Sequence, residues 1–229
     1  GKTAAEVLAE LEALGSEQTR KTYRRHGVSE PMYGVSYGDL GKLKKKLKIN
    51  HPLALELWAS GNHDARVLAL MIADPQQADS TTLETWVRDL DNYPLSDALS
   101  AYVAASPLAR AKAEQWSQSD EEWIGATGWN LMGSVAAQDQ ALPDSYFEPV
   151  LERIERDLHA SKNRTRYSMN NALIAIGVRS DALEPQAVAA AERIGKVIVD
   201  HGQTNCKTPD AIPYIAKTRA HNAAKKQKA

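Results

Sequence analysis

The chain of 229 residues contains one cysteine, Cys206, and one phenylalanine, Phe147. A single cysteine excludes an internal disulfide and suits a reducing compartment. No apolar run approaches the roughly 18 residues of a membrane span, so no membrane partner is expected. The start of the chain has neither the charged nor the apolar region of a signal peptide, and a cytoplasmic location is the expectation. No Asn-Gly or Asp-Gly pair marks a hairpin, and Val197-Ile198-Val199 is the one short strand candidate. A Gly-rich phosphate loop, a serine nucleophile elbow and a paired-cysteine motif are all missing. His201, Cys206 and His221 fit no standard zinc spacing and lack an evident fourth ligand, so neither a metal nor another cofactor is expected.

What is present is helical. Apolar residues make up 43% of the chain and charged residues 25%, as in an ordinary globular protein with room for a core. Ala65, Leu68, Ala69 and Ile72 form one apolar stripe, and Ala187, Ala190, Ala191 and Ile194 another. Leu151, Ile154 and Leu158 form a third. Capping-box spacing recurs at Thr81–Glu84, Ser119–Glu122 and Asp181–Glu184. Pro52, Pro94, Pro107, Pro143 and Pro185 fit first helical turns. Roughly a dozen helices with short loops follow, an all-α fold.

Three segments, starting at Asn62, Ser119 and Asn163, each run from a polar cap into a helix of small apolar residues. Their rhythm suits paired-helix repeats of roughly 40 residues, which stack into an array with a concave face. An irregular helical bundle is the alternative. Residues 1–200 read as the helical domain, and 201–229 as a polar loop and a basic, frayed tail.

Charge is segregated along the chain. Residues 1–48 carry ten Lys and Arg against six acids, and residues 201–229 carry six against one. The stretch between them is strongly acidic. Arg20, Lys21, Arg24 and Arg25 form one basic cluster. Lys42, Lys44 and Lys45 lie in a second, on an amphipathic helix. Such ends suit a polyanion, because phosphate contacts supply most sequence-independent affinity for DNA; a solvated helix face is the plainer alternative. Arg164 and Arg166 sit at a helix start, where the dipole disfavours cations. That placement suggests either an external anion or pairing with Glu152 or Glu155. Asp97, one turn after Tyr93 in a small and apolar stretch, could stabilise a developing positive charge or simply bond to backbone. Trp123 and Trp129 read as core, with stacking on a base as the alternative. Trp58, Trp86 and Trp116 read as core.

The sequence resembles the DNA alkylation repair glycosylases built from HEAT-like repeats, the alkylpurine glycosylase D family. The resemblance runs over about residues 15–195. It rests on Tyr33-Gly34-Val35-Ser36, Leu55-Glu56-Leu57-Trp58, His63-Asp64-Ala65-Arg66-Val67-Leu68-Ala69 and the Tyr93-to-Asp97 element, followed in order by the Trp123 and Asn163 helices. It implies stacked antiparallel helix pairs in a curved HEAT-like solenoid and a basic concave face for double-stranded DNA; a monomer is the expectation. It implies metal-independent, monofunctional excision of N3- or N7-alkylated purines. Asp97 would stabilise the oxocarbenium-like sugar, within a cleft walled by Tyr93, Trp123, Trp129 and Asn171. There are two departures. The family's Trp-x-Arg-Arg appears as Trp123-Ile124-Gly125-Ala126, and its second cleft Trp falls at Asn171. Both weaken lesion recognition. A non-catalytic DNA-binding member is therefore the first alternative, and a helical scaffold for a protein or small ligand the second.

Overall fold

Side-chain caps open most of the early helices. In a computed structural model that describes all residues Gly1–Ala229, Thr3 and Glu6 form a reciprocal capping box at α1 (Ala4–Leu14). Ser16 and Ser36 take the third amide of α2 (Glu17–Arg25) and α3 (Tyr37–Leu47). Asn50, Asn62 and Asn92 do the same for α4 (His51–Ala59), α5 (His63–Ile72) and α7 (Tyr93–Ala104). Each cap satisfies an amide that the helix itself leaves unpaired. Asp79 caps α6 (Ser80–Arg88) through Thr82, so the sequence-expected box at Thr81 is displaced by two residues. Glu121, not Ser119, caps α9 (Glu122–Gln138). The expected box at Asp181 is replaced by Ser180, whose hydroxyl accepts from Leu183. Pro52 and Pro94 stand in first turns as expected.

The chain forms two compact units. The first comprises Gly1–Leu108 with Gly202–Asn205, and the second Ala109–His201 with Cys206–Ala229. The sequence had suggested one body up to residue 200. The core of the first unit is centred on Trp58 and Trp86, stacked at 4.6 Å and 14°. Arg66 lies over the Trp58 ring at 5.0 Å, while the indole N–H of Trp58 donates to Asp89 at 2.8 Å. The long side chains of this core are thus held by polar edges as well as by apolar burial.

The second unit holds α8 (Ala109–Trp116), α9, α10 (Glu148–Asp157), α11 (Asn163–Arg179), α12 (Leu183–Ile194) and α13 (Ala211–Lys228). The expected frayed tail is therefore an 18-residue helix. Ile215 anchors it, fully buried against Gly177 of α11, where a Cβ would come within 2.7 Å of the isoleucine. Val197–Val199 is not a strand; it lies in an irregular segment between Gly195 and Asp210. That segment is fastened to α11 by its polar side chains. Asn163 exchanges two hydrogen bonds with the Asp200 backbone, and Asn170 donates to the Pro209 carbonyl. Arg179 closes the opposite end of α11, donating to the carbonyls of Ala136, Asp139 and Leu142 and lying over Phe147.

Gly128 sets how closely α8 and α9 approach. A Cβ there would lie 2.2 Å from the Ser117 nitrogen and 2.4 Å from the Trp116 carbonyl carbon, both backbone atoms with no room to move. Gly128→Ala should therefore destabilise the protein by about 3 kcal/mol in urea unfolding. Gly133→Ala on the same helix, where the nearest atom would be 3.6 Å away, should leave stability unchanged or raise it.

Candidate nucleic-acid interface

A buried carboxylate organises the first unit. Asp64, in the first turn of α5, is fully buried. It accepts the backbone N–H groups of Tyr33 at 2.6 Å, Gly34 at 3.1 Å and Val35 at 2.7 Å. Three successive amides thus replace the water a carboxylate gives up on burial. Gly34 is required here: its φ is +76°, and a Cβ would meet Arg20 Cγ at 2.6 Å and the Ser16 carbonyl at 2.7 Å. The loop ends at Ser36, the cap of α3, so the same contacts place the start of the lysine-rich helix.

Aromatic and imidazole rings stand beside this loop. His63 meets Tyr23 edge-on at 5.6 Å, and Tyr23 meets Tyr37 edge-on at 6.1 Å. The Tyr23 hydroxyl donates to the Val35 carbonyl, and burial pushes its ionisation above the usual tyrosine range. Tyr37, 51% exposed, has its ionisation raised by partial burial first and then by the charge of Asp97. Asp97 itself is exposed on α7. Tyr93, one turn earlier, is half-buried, and its hydroxyl shares a hydrogen bond with His26 Nδ1. Asp97 and Tyr93 therefore occur together with Tyr37 and His26, two residues that the sequence did not single out.

The basic residues divide into two kinds. Arg20 is committed to Glu17 at 2.9 Å and to the Tyr33 carbonyl at 3.1 Å. Arg24 bridges Glu17 and Glu30. Those guanidiniums, Arg20 first, hold the Glu17 carboxyl below its ordinary range. Arg25 is exposed and reaches only the Thr22 hydroxyl. Lys42 is 80% exposed with Asp39 no nearer than 3.9 Å. Lys21, Lys44 and Lys45 are exposed and form no ion pair. Surface pairs of this sort contribute little, so even Arg20 and Arg24 are not expensive to redirect.

The remaining candidates lie in the second unit and do not come together. Trp129 is 3% exposed, with Arg153 over its ring at 5.0 Å. Trp123 is half-buried in the first turn of α9. Asn171 lines a different groove, between α9, α11 and α13. Arg166 pairs with neither Glu152 nor Glu155; it donates to the carbonyls of His159, Ser161 and Ile198. Glu155 is taken by Arg193. Arg164 lies 4.1 Å over the Tyr167 ring, and its backbone N–H donates to Glu122 at 2.8 Å. The anion at this helix start is therefore an internal carboxylate, in the place the dipole favours.

Comparisons agree with this architecture. The model of a family described as DNA alkylation repair enzyme matches residues 7–215. Uncharacterized protein Lin0241 of Listeria innocua serovar 6a is 36% identical over 216 residues, covering 92% of this chain and 94% of that protein. Uncharacterized protein Lmo0209 of Listeria monocytogenes serovar 1/2a matches to the same extent. A solved structure superposes with a TM-score of 0.86 at 32% identity, covering 96% of this chain and 95% of the other. It is described as a new family of proteins related to the HEAT-like repeat DNA glycosylases with affinity for branched DNA structures. The fold is thus all-α and HEAT-like.

His63 gives the first unit a pH dependence. It is 5% exposed, its Nδ1 has no partner, and burial lowers its pKa. The unfolded chain then takes up the proton before the folded one, so stability falls as pH drops below about 6.5. Burial likewise lowers the pKa of His201, which gives the second unit a dependence of the same sign. Urea unfolding between pH 7.5 and 5.5 should show this loss, with His63 contributing up to about 1.4 kcal/mol per pH unit. His63→Gln should flatten the slope by that share; an unchanged slope would contradict the assignment.

Proposed function

Since the chain belongs to the DNA alkylation repair enzyme family, we propose that it is a DNA-repair protein that grips double-stranded DNA through the cationic surfaces of α2 and α3. The observation that carries this reading is the set of exposed, unpaired lysines Lys21, Lys44 and Lys45, beside the exposed Arg25 and Lys42. Phosphates binding there displace condensed counterions without giving up strong internal ion pairs. The reading favours recognition of DNA shape, branched DNA in particular, over recognition of a flipped base. Two features support that preference. Trp129 is buried beneath Arg153 and away from Asn171, so the pair offers no open aromatic clamp. The structural relative is described by its affinity for branched DNA.

Excision of N3- or N7-alkylated purines is the second reading, and the exposure of Asp97 beside Tyr37 favours it. An alkylated purine carries positive charge and departs readily. As the C–N glycosidic bond breaks, the purine leaves with the bonding electrons and the sugar becomes oxocarbenium-like. A carboxylate stabilises that cation and orients the water that adds to it.

One experiment separates the readings. Binding of the native chain to a four-way junction and to a linear duplex is followed from low to high salt, alongside base release from a duplex with one N7-methylguanine. Lys44→Glu with Lys45→Glu should weaken binding at least about tenfold and flatten the salt dependence by about two phosphate contacts. Affinity unchanged by that double substitution would remove α3 from the interface. Release by the native chain that Asp97→Asn abolishes would establish excision; no release with binding intact would establish a structure-selective binder.

A further inference from the structure

A cavity in the second unit includes, of the candidate site residues discussed above, only Asn171. It is a groove of about 1020 Å³ between α9, α11 and α13. Its floor is apolar, from Ala136, Ile174 and Val178. Amides from Gln140, Asn171 and Asn222 and the rings of Tyr167 and Tyr214 line it further. Tyr214 is 49% exposed although α13 is firmly docked through Ile215. Of the cations in the lining, Arg179 is tied to Asp144 and Arg219 to Asp181 and Glu184. Lys226 is exposed and free of any ion pair, on a helix that also exposes Lys217 and Lys225.

This inventory selects its occupant. Amide side chains both donate and accept, as base edges do, and they discriminate little among bases unless paired in fixed geometry. An exposed tyrosine ring offers a stacking face. The uncompensated positive charge is the exposed Lys226, near the end of α13, open to a phosphate. We propose that this groove holds a short unpaired stretch of a branched DNA, with its first base stacked on Tyr214 and a phosphate a few nucleotides further along against Lys226, about 18 Å away along α13. The proposal rests on the DNA-binding reading above and adds a contact that fully paired DNA does not make. It also gives Tyr214 and α13 a role.

The test uses the full chain with two DNAs of equal length, a continuous duplex and a flap carrying 2-aminopurine as the first unpaired base. Tyr214→Ala with Lys226→Glu should weaken flap binding about tenfold and leave duplex binding within about twofold. Tyr214→Phe should behave as the native chain, because the ring is kept. The native chain should quench 2-aminopurine, and Tyr214→Ala should not. Both positions are exposed, and an unchanged melting temperature will verify that the variants fold. Equal loss on both DNAs, or no loss on either, overturns the proposal and assigns the groove to another occupant. The lysine reversals on α3 should instead weaken both DNAs together. Failure of the native chain to bind either DNA removes the underlying reading and this one with it.

Discussion

A carboxylate without water must be answered by the chain around it, and Asp64 is answered by three consecutive backbone amides. Much of the first unit is arranged around that requirement. The loop it grips brings Gly34 against α2, where the Gly34 carbonyl accepts from Ser16. It brings Tyr33 against Gly15, so close that a Cβ on Gly15 would lie 2.2 Å from the Tyr33 carbonyl oxygen. It presents its own carbonyls to Arg20 and Tyr23. Hydrogen bonds to a charged acceptor contribute about 1.5–3 kcal/mol each, and the amides would be stranded without it. An asparagine is no substitute: its NH₂ would face an amide N–H, donor against donor.

Function is layered on this frame through a division among cations. Arginines are engaged within the chain: Arg20 and Arg24 pair with Glu17 at the surface, and Arg166 and Arg179 hold loops through backbone carbonyls. Planar guanidiniums with several donors suit that work. Lys44 and Lys45 of α3 and Lys226 of α13 stay exposed and unpaired, which suits contact with a phosphate backbone that has no fixed geometry to match. Net charge near neutrality conceals this arrangement, because the acids of the middle segment are spent largely on caps and internal pairs.

Helical periodicity and small-residue stripes were enough to read the all-α class, and the prolines at Pro52 and Pro94 marked first turns correctly. Caps were read less well, since Thr81 and Ser119 have the right spacing but Asp79 and Glu121 are placed to accept. The helix α13 was missed because its segment opens with two prolines and ends in lysines; its stability comes from Ile215 against Gly177, a contact 38 residues apart that no local pattern shows. Asp64 was legible only as an acid in a first turn, since its partners lie thirty residues upstream. Arg166 was misleading for the same reason. Its acceptors are carbonyls, two in the turn just before α11 and one at Ile198, and a sequence does not display carbonyls.

The most direct test of this account is amide hydrogen exchange in the native chain and in Asp64→Asn. The account predicts that the Tyr33, Gly34 and Val35 amides are as protected in the native chain as the core of α5. It predicts that Asp64→Asn releases them together with the first turn of α3, while α9 and α11 keep their protection. Exchange of these three amides at the rate of an exposed loop in the native chain, or protection unchanged by the substitution, would contradict it.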